Sequence, residues 1–326
     1  MNRRDTVLVL IALGLVPIGA LAQRHPSTIP RIGYLSSETA SDMANRLEAL
    51  RAGLRDLGYV EGRNIVIEVR RAGGNYDRLP DLAAELVRLK VDLLVAEGIK
   101  AGLAAKRATT TIPIVLPGTA DPVEAGAVGS IARPGGNLTG STAFGTELAV
   151  KRLELLKEAV PRISKVAILS NPANPNSGPT LEALEAAAKS LKMGLQKIDV
   201  RAPTEFDSAF EVMAKSRLSA VLVLSDTMFV SNVKAIALLA AAKRLPLAGR
   251  VEFADAGGLI GYGVNSPDMY RRSAAIVDKI LKGAKPADLP IERATNFELV
   301  VNRKAGKALG ITIPPALLVR ADRVIE

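Results

Sequence analysis

Residues 111–144 read T-I-P-I-V-L-P-G-T-A-D-P-V-E-A-G-A-V-G-S-I-A-R-P-G-G-N-L-T-G-S-T-A-F, and the order of strand and turn residues in them decides the fold. A short apolar run, 112–116, ends at Pro117-Gly118, which stop a strand and open a turn. The carboxylate of Asp121 follows at once. A small-residue segment then leads to the turn Pro134-Gly135-Gly136-Asn137 and a second short run, 137–142. Strand and helix alternate before this stretch, and the alternation restarts after it. The stretch reads as the end of one lobe and the link into a second.

Upstream, residues 31–35 form a buried strand ending at Ser36-Ser37. Met43, Leu47, Leu50, Leu54 and Leu57 recur on one face of a 3.6-period helix that stops at Gly58. Strands at 64–69 and 91–96 flank a helix at 81–90, and a small-residue helix at 101–108 precedes the run at 112–116. Downstream, a linking helix marked by Ala149, Leu153, Leu156 and Val160 opens the same scheme. Strands follow at 165–169, 195–200, 220–224, 259–263 and 297–301, the first four each followed by a helical stripe. Strands separated by helices of this length predict parallel sheets covered on both faces. The fold class is α/β, with two doubly wound, Rossmann-like lobes joined by a hinge. The expected division is 31–142 plus 258–292 for the first lobe and 143–257 plus 293–326 for the second.

In open α/β sheets, ligands bind beyond the carboxyl ends of the strands. Two such lobes facing each other would line a cleft with their strand exits. Those exits carry Ser36 and Ser37, Glu97 and Gly98 with Ile99 and Lys100 after them, Asp121, Asn171 and Asn174, and Ser225 and Asp226, and Arg250 follows a later turn. Short polar side chains suit small-molecule contact, and backbone N–H groups at Ser36-Ser37 would favour a ligand carboxylate. The same residues could serve the fold alone. Asp121 and Asp226 fit helix or turn caps, Asn171 and Asn174 fit Asx turns, Lys100 fits a solvated surface, and Arg250 with Glu252 fits a rim salt bridge.

The composition removes several classes of function. The chain has 326 residues, no cysteine and a single histidine, His25. Disulfides, thiolate metal sites, a cysteine nucleophile and lipid attachment through cysteine are thereby excluded, and a Ser-His-Asp triad loses its base. No cofactor or metal is expected. The formal net charge is +10, but basic and acidic residues are interspersed, Trp is absent and aromatics make up 3%. Stacking platforms for nucleic acid are therefore poorly supplied, and no nucleic-acid partner is expected. The first strand is not followed by G-x-G-x-x-G, and no phosphate loop, H-E-x-x-H or G-x-S-x-G elbow occurs. Simple binding fits better than catalysis. The competing readings are a secreted two-lobed isomerase or lyase using Asp121 and Asp226 as acid and base, and a ligand-sensing module for a membrane receptor.

Residues 1–22 have the three parts of a secretory signal peptide. Arg3 and Arg4 precede an uncharged, largely apolar run at 6–21, which ends in the A-x-A pattern Ala20-Leu21-Ala22. The paired arginines also leave a twin-arginine route open. The run is short for a spanning helix, and no later stretch approaches ~18 apolar residues. A periplasmic protein without a lipid anchor is expected.

Several phrases of the chain resemble the substrate-binding proteins of one ABC-importer family. They include R-I-G-Y-L-S-S (31–37), L-R-A-G-L-R-D-L-G-Y-V-E-G-R-N-I-V-I-E (50–68), A-R-P-G-G-N-L-T-G (132–140), N-P-A-N-P (171–175) and L-G-I-T-I-P-P (309–315). Taken in order, the phrases span about residues 31–326. The resemblance implies a type I periplasmic-binding-protein fold, in which two lobes joined by three crossovers close on a small molecule. It implies a monomer that delivers its ligand to an ABC permease and its ATPase and meets the membrane only through them. Amino acids, aromatic ones among them, are the implied ligands. The chain departs from the family pattern at Gly98-Ile99-Lys100, where small or hydroxyl residues are common. It departs again at Leu247-Ala248-Gly249-Arg250, where an aromatic is frequent. Both departures leave a more polar ligand open.

Overall fold

The computed structural model describes residues 29–38, 40–119 and 121–326, with 40–42 described for the backbone only. The expected signal peptide, 1–22, lies outside the described residues. Thirteen strands divide between two sheets. The first contains β1 (Arg31–Ser36), β2 (Val66–Arg71), β3 (Leu93–Glu97), β4 (Ile114–Thr119), β5 (Leu138–Thr142) and the short β11 (Glu292–Arg293), in the order β11-β5-β4-β3-β1-β2. The second contains β6 (Lys165–Ser170), β7 (Gly194–Asp199), β8 (Ala220–Val223), β9 (Leu247–Gly249), β10 (Ile260–Val264), β12 (Phe297–Asn302) and β13 (Arg323–Ile325), in the order β13-β12-β10-β9-β8-β6-β7.

Every pairing in the first sheet is parallel. In the second sheet the one antiparallel pair is β10 with β12. Parallel strands are covered by helices on both faces and so read as unbroken apolar runs. All five residues of β3 and all four of β8 are buried, as this requires. Each sheet carries two apolar layers. Leu35, Leu86 and Leu94 lie in one layer of the first sheet and Ile32, Leu50 and Val95 in the other. Leu153, Ile168 and Leu222 mark one layer of the second sheet and Leu169, Phe210 and Val221 the other. Each such side chain contributes about 1.5–3 kcal/mol by leaving water.

The chain passes between the sheets three times, after β5, after β10 and after β11. This corrects one boundary. The strand at 259–263 was expected in the first lobe, but β10 lies in the second sheet between β9 and β12. Gly261 explains the placement, because a Cβ there would come within 2.9 Å of Val251 backbone atoms. The strand is pressed against the helix Val251–Asp255 of the same sheet. The crossover instead precedes the helix Ser266–Leu281, which returns to the first sheet and packs along the helix Ala40–Asp56. Gly53 makes that approach possible, since a Cβ there would stand 2.1 Å from the Arg271 carbonyl oxygen. The C-terminal tail closes the far edge of the second sheet as β13.

The crossover after β5 turns at Phe144, which is left-handed (φ 51°) and starts the helix Gly145–Ala159 without a side-chain cap. Its ring packs against Phe297, 6.3 Å away, at the start of the third crossing's strand. The Arg293 guanidinium lies 5.2 Å above it. Phe144 thus sits where two crossings run side by side.

Candidate functional site

The carboxyl ends of the two sheets face each other across a cleft that encloses about 80 Å³. That is room for a small organic solute rather than a single water. Gly98, Ile99 and Lys100 line it from the first lobe. Asn174, Ser225, Asp226 and Arg250 line it from the second.

The other expected contacts stand behind the lining. Ser36 is fully buried and donates to Glu97 Oε2 at 2.5 Å. Ser37 donates to Thr227 Oγ1 across the cleft at 3.1 Å. Asn171 is buried, accepts from the Ala173 N–H and donates to Asp226 Oδ2 at 3.3 Å. Asp121 Oδ1 accepts the N–H groups of Val123 and Glu124 at 2.7 and 3.2 Å and so caps a turn. Only its backbone touches the second lobe, where its carbonyl accepts from Asn176. Asp226 lines the cleft and Asp121 is not among the residues that do.

Residues outside the expected contact set supply most of the charge, and of these Glu97 is expected from the sequence at a strand exit. Glu97 ends β3 at the floor of the cleft and accepts four hydrogen bonds. Ser36 and Tyr34 reach Oε2 (2.5 and 3.2 Å), and Arg46 and Tyr270 reach Oε1 (2.9 and 3.0 Å). Arg46 also pairs with Glu38, and its other terminal nitrogen reaches Glu252 of the second lobe at 3.6 Å. Burial and the neighbouring Glu97 charge push the Glu38 carboxyl up to about 7, against the pull of Arg46. Burial also works against the charged form of Glu252, but Arg250 and Arg46 outweigh it and hold its carboxyl at about 2. Burial, with Glu97 next, raises the Tyr34 and Tyr270 hydroxyls well above their usual range, so both stay protonated donors.

Asp226 caps the helix Thr227–Ser231 by accepting from the Met228 N–H. Tyr76, which comes from the first lobe, donates to Asp226 Oδ1 at 2.7 Å, lies 2.5 Å from Thr227 Oγ1 and accepts from the Met228 N–H. Its ring also packs against an apolar layer of each sheet. Lys100 Nζ lies 3.8 Å over the ring of Tyr76, and burial lowers the Lys100 pKa despite the attraction of Asp226. These contacts hold the lobes together in a closed arrangement. Replacing Tyr76 by Phe removes the hydroxyl's contacts with Asp226, Thr227 and Met228 while leaving the ring. The expected result is a larger radius of gyration for the unliganded protein and about tenfold weaker ligand binding, a loss of the size of one to two hydrogen bonds. Small-angle scattering and calorimetry read the two effects.

Arg152, in the helix Gly145–Ala159, is 1% exposed and lines the cleft. Its Nε donates to the Tyr262 carbonyl at 2.6 Å and its Nη1 to Ser225 Oγ at 3.1 Å. Among the described residues no carboxylate lies within ion-pair distance of it and Nη2 has no acceptor. Burial, then the nearby Arg250 charge, lowers its pKa to about 9, which still leaves it a cation at neutral pH. Arg46 and Arg152 could have been noticed from sequence, because each interrupts the apolar face of its helix. Arg46 is three residues after Met43 and four before Leu50, and Arg152 is four after Leu148 and four before Leu156.

The profile of the family described as "ABC transporter substrate binding protein" matches residues 39–325. The chain belongs to that family. A tyrosine-binding protein of Clostridioides difficile (strain R20291) is 27% identical over 258 residues, which cover 78% of this chain and 74% of that protein. Among solved structures, a conserved domain protein of Vibrio cholerae O1 biovar El Tor superposes with a TM-score of 0.86 at 26% identity. An ABC domain from Streptococcus pneumoniae in complex with L-Trp does so with a TM-score of 0.86 at 25% identity. Each alignment covers 91% of this substrate-binding protein and 100% of the other chain. The two-lobed architecture and the cleft therefore have the setting of a solute-binding protein. No helix among the described residues is long and apolar enough to cross a membrane.

Proposed function

We propose that this protein captures a small carboxylate-bearing solute, an amino acid or a related organic acid, outside the cytoplasm. It then delivers that solute to an ABC permease and its ATPase. The observation that carries the ligand reading is Arg152. A guanidinium buried at 1% exposure without a carboxylate partner is costly, and a cleft that holds one is complementary to an anion. The C. difficile relative, a tyrosine-binding protein, and the pneumococcal structure with L-Trp support a ligand with a carboxylate. Residues 98–100, Asn174, Ser225, Asp226 and Arg250 are the proposed walls of the site, with Arg152 and Thr119 added to the residues expected from sequence. Closure is favoured by a ligand that touches both lobes, because only the closed state makes both sets of contacts. The closed form is what the permease would receive.

A thermal-shift screen of amino acids and small organic acids tests the proposal. A ligand at 100 times its Kd is expected to add about 2.7 kcal/mol of stability. Absence of any shift, together with unchanged scattering in every ligand, would sink solute capture.

A further inference from the structure

Resting on that reading of the cleft, we infer that the ligand is an organic acid whose polar groups are all hydrogen-bond acceptors, without the ammonium of an amino acid. The inference comes from which hydrogen-bonding positions in the cleft are still open.

An ammonium needs acceptors, and the two carboxylates that line the cleft have none left. A carboxylate offers about four lone-pair positions. On Asp226, Tyr76 and the Met228 N–H occupy Oδ1, while Asn171 and Asn174 occupy Oδ2. On Glu97, Ser36, Tyr34, Arg46 and Tyr270 occupy all four. Receiving an ammonium at either would break a bond already made.

Open donors remain. Nη2 of Arg152 has no acceptor among the described residues. Thr119 ends β4 in the same lining, is 4% exposed, and its hydroxyl, which can donate to a ligand oxygen, has no partner among the described residues. Two helices also begin at the cleft without a side-chain cap, Ile99–Ala108 after Gly98 and Gly145–Ala159 after Phe144. Their first N–H groups carry the positive ends of the helix dipoles. Lys100 adds a cation at the first of them. Arg152, Thr119 and the start of the helix Gly145–Ala159 form one anion subsite. Lys100 and the start of the helix Ile99–Ala108 form a second acceptor-seeking region in the same cleft.

Matched ligands test this by calorimetry and thermal shift on the full chain. One set is L-tyrosine, 3-(4-hydroxyphenyl)propanoate and tyramine; the other is L-aspartate and succinate. The acid without ammonium is expected to bind at least tenfold tighter than its parent amino acid in one of the two sets, and tyramine is expected not to bind. An amino acid that binds as tightly as its deaminated partner, or tighter, overturns the ligand class and leaves solute capture standing. No binding and no compaction with any of the five overturns the ligand class and counts against capture itself. Thr119→Val keeps the shape and removes the open hydroxyl. At least fivefold weaker binding of the acid is expected, with the Tm of the unliganded protein unmoved. Unchanged affinity overturns the placement of the anion subsite.

Discussion

Replacing Arg152 by methionine is expected to lower ligand affinity at least 100-fold and to leave the unliganded protein as stable as the parent, or more so. The two effects have one cause. Arg152 is fully buried, and no carboxylate among the described residues lies within ion-pair distance of it. A ligand anion that pairs with it there forms a desolvated, charge-assisted contact, and truncating one partner of such a pair costs about 2–5 kcal/mol of binding. In the unliganded state the same burial is a penalty, because an unpaired charge has lost its hydration. Methionine fills most of the volume with an apolar, adaptable chain and removes that penalty. Two neutral acceptors, the Tyr262 carbonyl and Ser225 Oγ, lose their donor, which sets an opposing cost of about 1 kcal/mol each. Calorimetric titration of ligand and a denaturant melt of the unliganded variant decide the matter. Retained affinity would show that the ligand bypasses Arg152. A large loss of stability would show that the guanidinium serves the fold.

Glu38→Gln is expected to flatten the pH dependence of stability above pH 4.5. Burial, then the Glu97 charge, raises the folded-state pKa of Glu38 from 4.5 to about 7. A carboxyl with a raised folded pKa binds its proton more tightly when folded. The stability it contributes is complete below pH 4.5 and is lost as pH rises through about 7. The rise corresponds to on the order of 3 kcal/mol. Glu97, Arg46 and Arg250 all face this group and set the field in which it holds its proton. Oε2 of Glu38 has no partner among the described residues, and the Gln amide places a neutral donor group in the same position as the protonated acid. Glu252 acts in the opposite direction at lower pH. Held at about 2, it contributes stability above pH 4.5 that is lost as pH falls towards 2. Parent and Glu38→Gln are therefore expected to melt together near pH 4.5 and to diverge by pH 8, with the variant higher by several degrees. Parallel profiles would show that Glu38 is ionised throughout. Because Arg46 ties this cluster to Glu252 across the cleft, the same titration is expected to move ligand affinity with pH.

Much of the scaffold was legible because it rests on local repetition. The leucines of the helix Ala40–Asp56 fall every three or four residues, and the apolar runs of β3 and β8 are short and bounded by turns. The polar exits at 98–100, 171–174 and 225–226 follow from a general rule about parallel sheets, so their place near the cleft was expected. At Asp121 a carboxylate after a strand caps a turn as readily as it meets a ligand, and the cap became visible only in the N–H groups of Val123 and Glu124. The lobe of β10 was misjudged because its strand pattern is the same in either sheet. The assignment depends on the fit of Gly261 against the helix Val251–Asp255.

By itself, the amino-acid order determined the alternation of strand and helix, the two-lobed class and the family phrases from 31 to 315, since these depend on residues near one another in the chain. Which arginine is buried, and which carboxylate still has a lone pair to offer, was decided only by tertiary structure. Arg152 stands among 43 Lys and Arg residues and differs from the rest in where it points. Glu97 and Asp226 acquire their states from partners as far as 173 residues away, as with Tyr270 on Glu97. Hydrogen-bond satisfaction depends on all the groups that surround an atom, and in this protein most of those groups arrive from the opposite lobe or from another strand exit.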